Sequence, residues 1–237
     1  DREDIPKVAF AHNCPIPNYG IDEADVLKAK QAYYASVSFV DAQVGRLLDA
    51  LESMDLMERT IIVFWSDHGY HLGEHQGIWQ KRCLFEEAAS APMIFYAPGA
   101  LGNGTASQEI VEFVDLYPTV AELCQLETPD EIEGKSIVAL LEDPKRNWHG
   151  EAFTQVLRPG DGLPVMGASI RTDRWRYTEW NEGQQGIELY DHAQDPGEFT
   201  NLANDSAYES VVRSLRAKLR AQVLGTAPDS PFEPTRL

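Results

Sequence analysis

TIIVFWSDHGYHLGEHQGIWQKRCLFEEAASAPMIFYAPG, residues 60–99, is the stretch around which the chain is organised. It opens on an unbroken apolar, β-branched run, Thr60 to Trp65, too short for a helix and of the right length for a buried parallel strand. The run stops at Ser66-Asp67-His68-Gly69. In open α/β sheets ligands bind beyond the carboxyl ends of the strands, so an acid and an imidazole placed there are candidates for chemistry. A second apolar run, Met93 to Ala97, ends in Pro98-Gly99. Between the two runs lie His71, Glu74, His75 and the cation Lys81, in a segment punctuated by Gly69, Gly73 and Gly77.

Working outward, an irregular lead-in with Pro6, Pro15, Pro17 and Gly20 precedes a long helix. Asp22 is its expected N-cap, and Val26, Tyr33, Val37, Val40, Val44, Leu47 and Leu51 form an apolar stripe that should pack on a sheet. Downstream, Asp115 is placed to cap a helix that carries Pro118 in its first turn. From Glu151 the texture changes to short strands: EAFTQV, VMGASIRT, RWRYTEW and IELY. Arg174 to Thr178 alternates as a half-exposed antiparallel strand should. Asp195-Pro196-Gly197 reads as a turn, and Ser206 to Glu209 as a capping box opening a last helix to about Leu224. The tail with Pro228, Pro231 and Pro234 is expected to be loosely attached. The fold class is therefore α/β over 1–150, with a smaller subdomain of antiparallel strands and a packing helix over 151–237.

Composition narrows the partners. With 38 acidic and 20 basic residues, net −18, the chain is not built for a nucleic-acid backbone or an anionic membrane surface, though clustered cations can reverse the field locally. No apolar run reaches the length of a membrane span. Three scattered cysteines make neither a disulfide framework nor a Cys-rich metal site. The chain begins Asp-Arg-Glu-Asp, without Met or a signal-peptide pattern, which reads as a processed or truncated piece.

Asp67 and His68 are adjacent oxygen and nitrogen donors suited to a divalent cation, although a turn cap beside a satisfied polar histidine gives the same tripeptide. His71 to His75 spells H-x-x-E-H, an inverted zincin pattern, but Gly69, Gly73 and Gly77 disfavour the continuous helix that zinc chemistry needs, by about 1 kcal/mol each. Lys81 is either a solvated surface charge or, if the loop folds back over the metal, an ammonium for an anionic group. Cys14 and Cys83 have no activating partner by spacing, and no serine stands in an elbow context, so no nucleophile is evident.

Five ordered blocks, YYASVSFVDAQVGRLLDAL, TIIVFWSDHGYHLGEHQGIWQK, APMIFYAPG, VDLYPTVAELC and ELYDHAQDPGEFTNL, together resemble the C-terminal half of a sulfatase of the alkaline phosphatase superfamily. GASIRTDRWRYTEW is similar to the iduronate-sulfatase branch, and the resemblance covers nearly the whole chain. It implies an alkaline-phosphatase-like fold, a mixed sheet flanked by helices, and hydrolysis of sulfuric esters, with Asp67 and His68 as the late pair of Ca2+ ligands and Lys81 and His68 in catalysis. It also implies that Lys81, Tyr70 and His75 face the substrate, a sulfated glycan such as a uronate-containing glycosaminoglycan, while Asp41 is structural. The family's formylglycine segment and early calcium carboxylates do not occur here, so the missing N-terminal half is expected in cis or as a second chain, and this chain alone is expected to be inactive. A phosphatase or phosphonate hydrolase of the same superfamily, or a non-catalytic carbohydrate-binding or subunit fragment, are the alternative readings. The resemblance implies a secreted, periplasmic or lysosomal location.

Overall fold

The computed structural model describes residues 3–10, 14–159 and 164–225; the Pro228 to Pro234 tail lies outside them. Two short 3-10 turns, Lys7–Ala9 and Asn18–Gly20, lead into α1, Glu23–Ser53. Asp22 caps it as expected, its carboxylate accepting from the Asp25 backbone N–H at 2.9 Å. Strands β1 (Ile62–Trp65) and β2 (Met93–Tyr96) follow, with the single turn α2 (Glu74–Gly77) and the short helix α3 (Glu86–Ala89) between them. Next come α4 (Leu116–Leu123), α5 (Val138–Glu142), strands β3 (Ala152–Arg158), β4 (Val165–Arg171), β5 (Trp175–Trp180) and β6 (Ile187–Asp191), and finally α6 (Glu209–Gly225).

The structure corrects the first half in two respects. The run at Thr60 forms not a buried parallel strand but an antiparallel partner of β2, in the register Ile62↔Tyr96 to Trp65↔Met93, with Phe64 and Trp65 exposed. An unbroken apolar run tells that both faces require cover, not the direction of the neighbouring strand. Likewise, the α1 stripe does not pack on a sheet within the described residues: α1 buries no side chain, and Leu27, Val37, Val40 and Leu47 are exposed.

The second half is closed. β3–β4–β5–β6 is a four-stranded antiparallel meander, as the strand pattern predicts. One face, with Ile170, Tyr177 and Leu189, packs on Val212, Leu215 and Leu219 of α6. The other, with Val165, Trp180 and Tyr190, meets Ala9, Cys14, Ile78, Leu84 and Phe85 from the first 150 residues. β5 is consequently buried on both faces rather than half-exposed, because its polar residue Arg176 is neutralised inside instead of being solvated.

Two caps also differ from the pattern. Asp115 does not cap α4; its carboxylate accepts from the backbone N–H of Glu112 at 2.9 Å and of Lys135 at 2.8 Å, pinning the following loop. The last helix is entered through a 3-10 turn, Ser206–Tyr208, capped by Asp205 rather than by Ser206.

Candidate active site

The loop joining β1 to β2 folds back on itself. The His71 N–H donates to Gln80 O at 3.0 Å and the Gly73 N–H to Ile78 O at 2.8 Å, so the chain leaves His68, makes a closed excursion and returns at Lys81. The tip is not helical: His75 and Gln76 have φ of 49° and 62°, and Gly73 has φ of 105°. That conformation removes the two-histidine helical face a zincin requires. The base is fixed by Gly69, whose N–H donates to Ala88 O at 3.0 Å and whose position admits no side chain, since a Cβ would lie 2.0 Å from Glu87 O.

This path brings Asp67, His68 and Lys81 to the wall of one cavity of about 520 Å³, which Arg82, Glu86, Glu112, Thr154, Gln155, Arg171 and Arg176 also line. His68 Nδ1 lies 2.8 Å from Gly69 O; a carbonyl can only accept, so Nδ1 carries the proton and Nε2 presents a lone pair. That Nε2 stands 3.3 Å from Asp67 Oδ2. Two acceptors this close suit a shared cation, and the spacing is near the roughly 3.4 Å between adjacent ligands of a six-coordinate Ca2+ bound at about 2.4 Å. The donor chemistry therefore fits a hard divalent ion completed by further oxygens.

Tyr70 and His75 do not line this cavity. Tyr70 stacks on Tyr33 of α1, ring centroids 5.9 Å apart. His75 is 1 % exposed and stacks on Phe85 at 3.9 Å, with its Nε2 3.5 Å from Glu87 Oε2. His71 is fully buried beside the same carboxylate at 3.8 Å, and burial pulls its imidazole down to about 4. Burial would push Glu87 up, but the His75 contact and the local backbone outweigh it and hold the carboxyl below its usual range. Cys14 and Cys83 are both buried: the Trp79 N–H donates to Cys14 Sγ at 3.2 Å, and burial pushes the Cys83 thiol up to about 11. Cys83 therefore stays a protonated thiol at neutral pH.

Behind the cavity lies an ion-pair network that no local pattern in the sequence announces. Glu198, fully buried, accepts from the Glu86 backbone N–H at 2.8 Å, from Arg176 Nε at 2.5 Å and faces His192 Nε2 at 2.7 Å. Arg176 also pairs with Glu86, and Arg171 lies 3.3 Å from Glu86 and 2.8 Å from His192. Desolvation opposes the charge on Glu198, yet Arg176 and His192 prevail and its carboxyl stays below the usual range. Glu86, His192 and Glu198 converge closely enough to hold a metal ion, but two guanidinium groups already occupy their carboxylates. The network ties the Lys81 loop to β4, β5 and the 192–198 turn.

Comparison with known proteins places this geometry. Residues 5–126 match the family described as Sulfatase, and residues 73–224 match N-sulphoglucosamine sulphohydrolase, C-terminal. The chain is 36 % identical to a sulfatase of Formosa agariphila over 92 % of its own length and 42 % of the relative's. It is 34 % identical to human iduronate 2-sulfatase, covering 86 % of this chain and 48 % of that one. Among solved structures, a protein in complex with its substrate D-glucosamine-2-N,6-O-disulfate superposes with a TM-score of 0.74 at 30 % identity, over 84 % of this chain and 42 % of that chain. The phosphonate monoester hydrolase of Agrobacterium radiobacter superposes with 0.75 at 28 % identity, over 86 % and 44 %. The chain thus spans less than half the length of these curated relatives.

Proposed function

The chain belongs to the sulfatase family, with that family's alkaline-phosphatase-like fold, and from this premise we propose that it supplies the metal-closing and sulfate-binding half of an enzyme that hydrolyses sulfate esters of a glycosaminoglycan-like saccharide. The observation that carries the reading is the meeting of Asp67, His68 and Lys81 on one cavity wall, although a closed loop separates the pair from the lysine.

In this reading Asp67 and His68 would hold Ca2+, and the Gly69 carbonyl fixes the tautomer that leaves His68 a lone pair to offer. A bound Ca2+ supplies positive charge against the sulfate oxygens. Lys81 places an ammonium on the same oxygens, where it holds the ester in register and opposes the charge redistributed as the S–O bond to the alcohol breaks. His75 acts through packing, keeping the loop closed over Phe85, and Tyr70 is assigned the substrate-facing rim on the α1 side. The nucleophile, a formylglycine, and the remaining calcium carboxylates come from an N-terminal half, in cis or as a second chain. Water and the ester give alcohol and sulfate.

The experiment is steady-state hydrolysis by the full-length or reassembled enzyme, wild type against Lys81→Ala. We expect kcat/KM on a sulfate ester to fall by about 10³-fold or more, or about 4 kcal/mol of transition-state stabilisation. Wild-type turnover in the variant would remove Lys81 from the site. The likeness to a phosphonate monoester hydrolase keeps one second reading in view. Parallel assays on sulfate and phosphonate monoesters decide it: preferred phosphonate cleavage would overturn the sulfatase assignment.

A further inference from the structure

The charges lining the cavity do not cancel where they are free to meet a ligand. Lys81, Arg82, Arg171 and Arg176 stand against Asp67, Glu86 and Glu112. Arg171 and Arg176 are committed to Glu86, His192 and Glu198. Glu112 accepts from the Phe153 N–H at 2.8 Å and belongs to the capping box with Asp115. Asp67 faces His68. Lys81 and Arg82 remain, both exposed and neither in a hydrogen bond or ion pair among the described residues.

A chain with 38 acidic and 20 basic residues has no shortage of carboxylates to pair them, so two adjacent open cations mark a local reversal of field. They are neighbours in sequence, and both line the one cavity. One sulfate monoester carries a single negative charge, which Lys81 already matches. Arg82 is in excess of that need. Its guanidinium offers a planar fork of donors that fits a carboxylate or a second sulfate through two parallel hydrogen bonds. Thr154 and Gln155, which also line the cavity, supply polar groups for sugar hydroxyls.

We infer that Arg82 is a specificity-determining subsite for a second anionic group, a carboxylate or another sulfate, on the saccharide whose scissile sulfate Lys81 binds. The inference rests on the sulfatase reading above. Such a contact is made in the ground state and the transition state alike, so it acts mainly on KM.

The test measures kcat/KM for wild-type and Arg82→Gln full-length enzyme on three esters: an aryl sulfate with no other anion, a 2-O-sulfated uronate disaccharide and a disulfated glucosamine. The expected result is a fall of about tenfold or more in the preference for a doubly anionic ester over the aryl sulfate, expressed chiefly in KM. Loss confined to the uronate identifies a carboxylate, and loss confined to the disulfated sugar identifies a second sulfate. Because each preference is a ratio within one preparation, a smaller folded fraction cancels. Unchanged ratios, with a wild type that cleaves the esters, overturn the subsite alone. A wild type that cleaves none of the three overturns the sulfatase reading and the subsite with it.

Discussion

The β3–β6 sheet and the α1–β1–β2 layer were both written with apolar faces, but only the first is closed. The sheet is covered by α6 on one side and by Ile78, Leu84 and Phe85 on the other, leaving Ile170, Tyr177, Trp180 and Leu189 fully buried. In the other layer, α1 buries nothing, and Phe39, Leu47, Trp65 and Ile94 are exposed. The difference teaches that apolar patterning specifies that a face must be covered, while the identity of the cover is a property of the whole assembly. The candidate site lies on the seam: Asp67 and His68 leave the open layer, and the loop bearing Lys81 is tied to the closed sheet through Glu86 and Glu198.

The sharpest way to break this contrast is to cut that tie. Glu198→Ala leaves Arg176 buried with part of its charge uncompensated, and the expected loss of stability is about 3–5 kcal/mol in a denaturant titration. Glu209→Ala, which removes an exposed helical pair with Arg213, should cost less than about 0.5 kcal/mol and serves as the control. Equal effects would mean that the network does not join the two regions.

A second measurement probes the closed side by pH. Glu188 accepts from Trp180 Nε1 and Tyr190 OH, both at 2.7 Å, but burial dominates and pushes its carboxyl up to about 7 from the ordinary value of 4.5. The folded state therefore keeps a proton that the unfolded chain releases. This contribution is fully present below about pH 4.5 and is lost as pH rises through about 7, an expected change of about 3 kcal/mol that Glu188→Gln should flatten. His71 works in the opposite sense: its folded value of about 4 lies below 6.5, so its contribution is present above 6.5 and lost as pH falls through 4. Thermal unfolding of wild type and E188Q across pH 4–8 checks both slopes; an unchanged alkaline limb in E188Q would exclude Glu188 as its source.

The smallest effect tests the open side. Leu47→Ala, at a position 67 % exposed, should change the stability of this chain alone by no more than about 0.5 kcal/mol. In an assembly whose N-terminal half covers α1, the same substitution should cost about 2–5 kcal/mol. A small effect in both would show that this face of the helix remains solvated.

Much of this was legible residue by residue, and the exceptions share a cause. Asp22 as a cap, the four strands after Glu151 and the non-helical H-x-x-E-H loop follow from local stereochemistry, which neighbours in sequence decide. The Glu86–Arg176–Glu198 network was not legible, because its members come from three separate elements and each alone reads as a solvated charge. For the same reason Arg174 to Thr178 suggested an exposed face where the structure has an internal one. Asp67 and His68 were visible as candidates, but Lys81 joins their cavity only because backbone hydrogen bonds close the loop between them.

By itself the sequence determined the elements, the strand-end position of Asp67 and His68, the glycines that forbid a zinc helix, and, through five ordered blocks, the family. Only the tertiary structure decided the antiparallel pairing of β1 with β2, the burial of His75, the open face of α1 and the lack of an ion pair, among the described residues, for Arg82 beside Lys81. The physical reason is range. Capping, turn chemistry and periodicity act within a few residues, whereas burial and charge compensation depend on which distant segments arrive to exclude water.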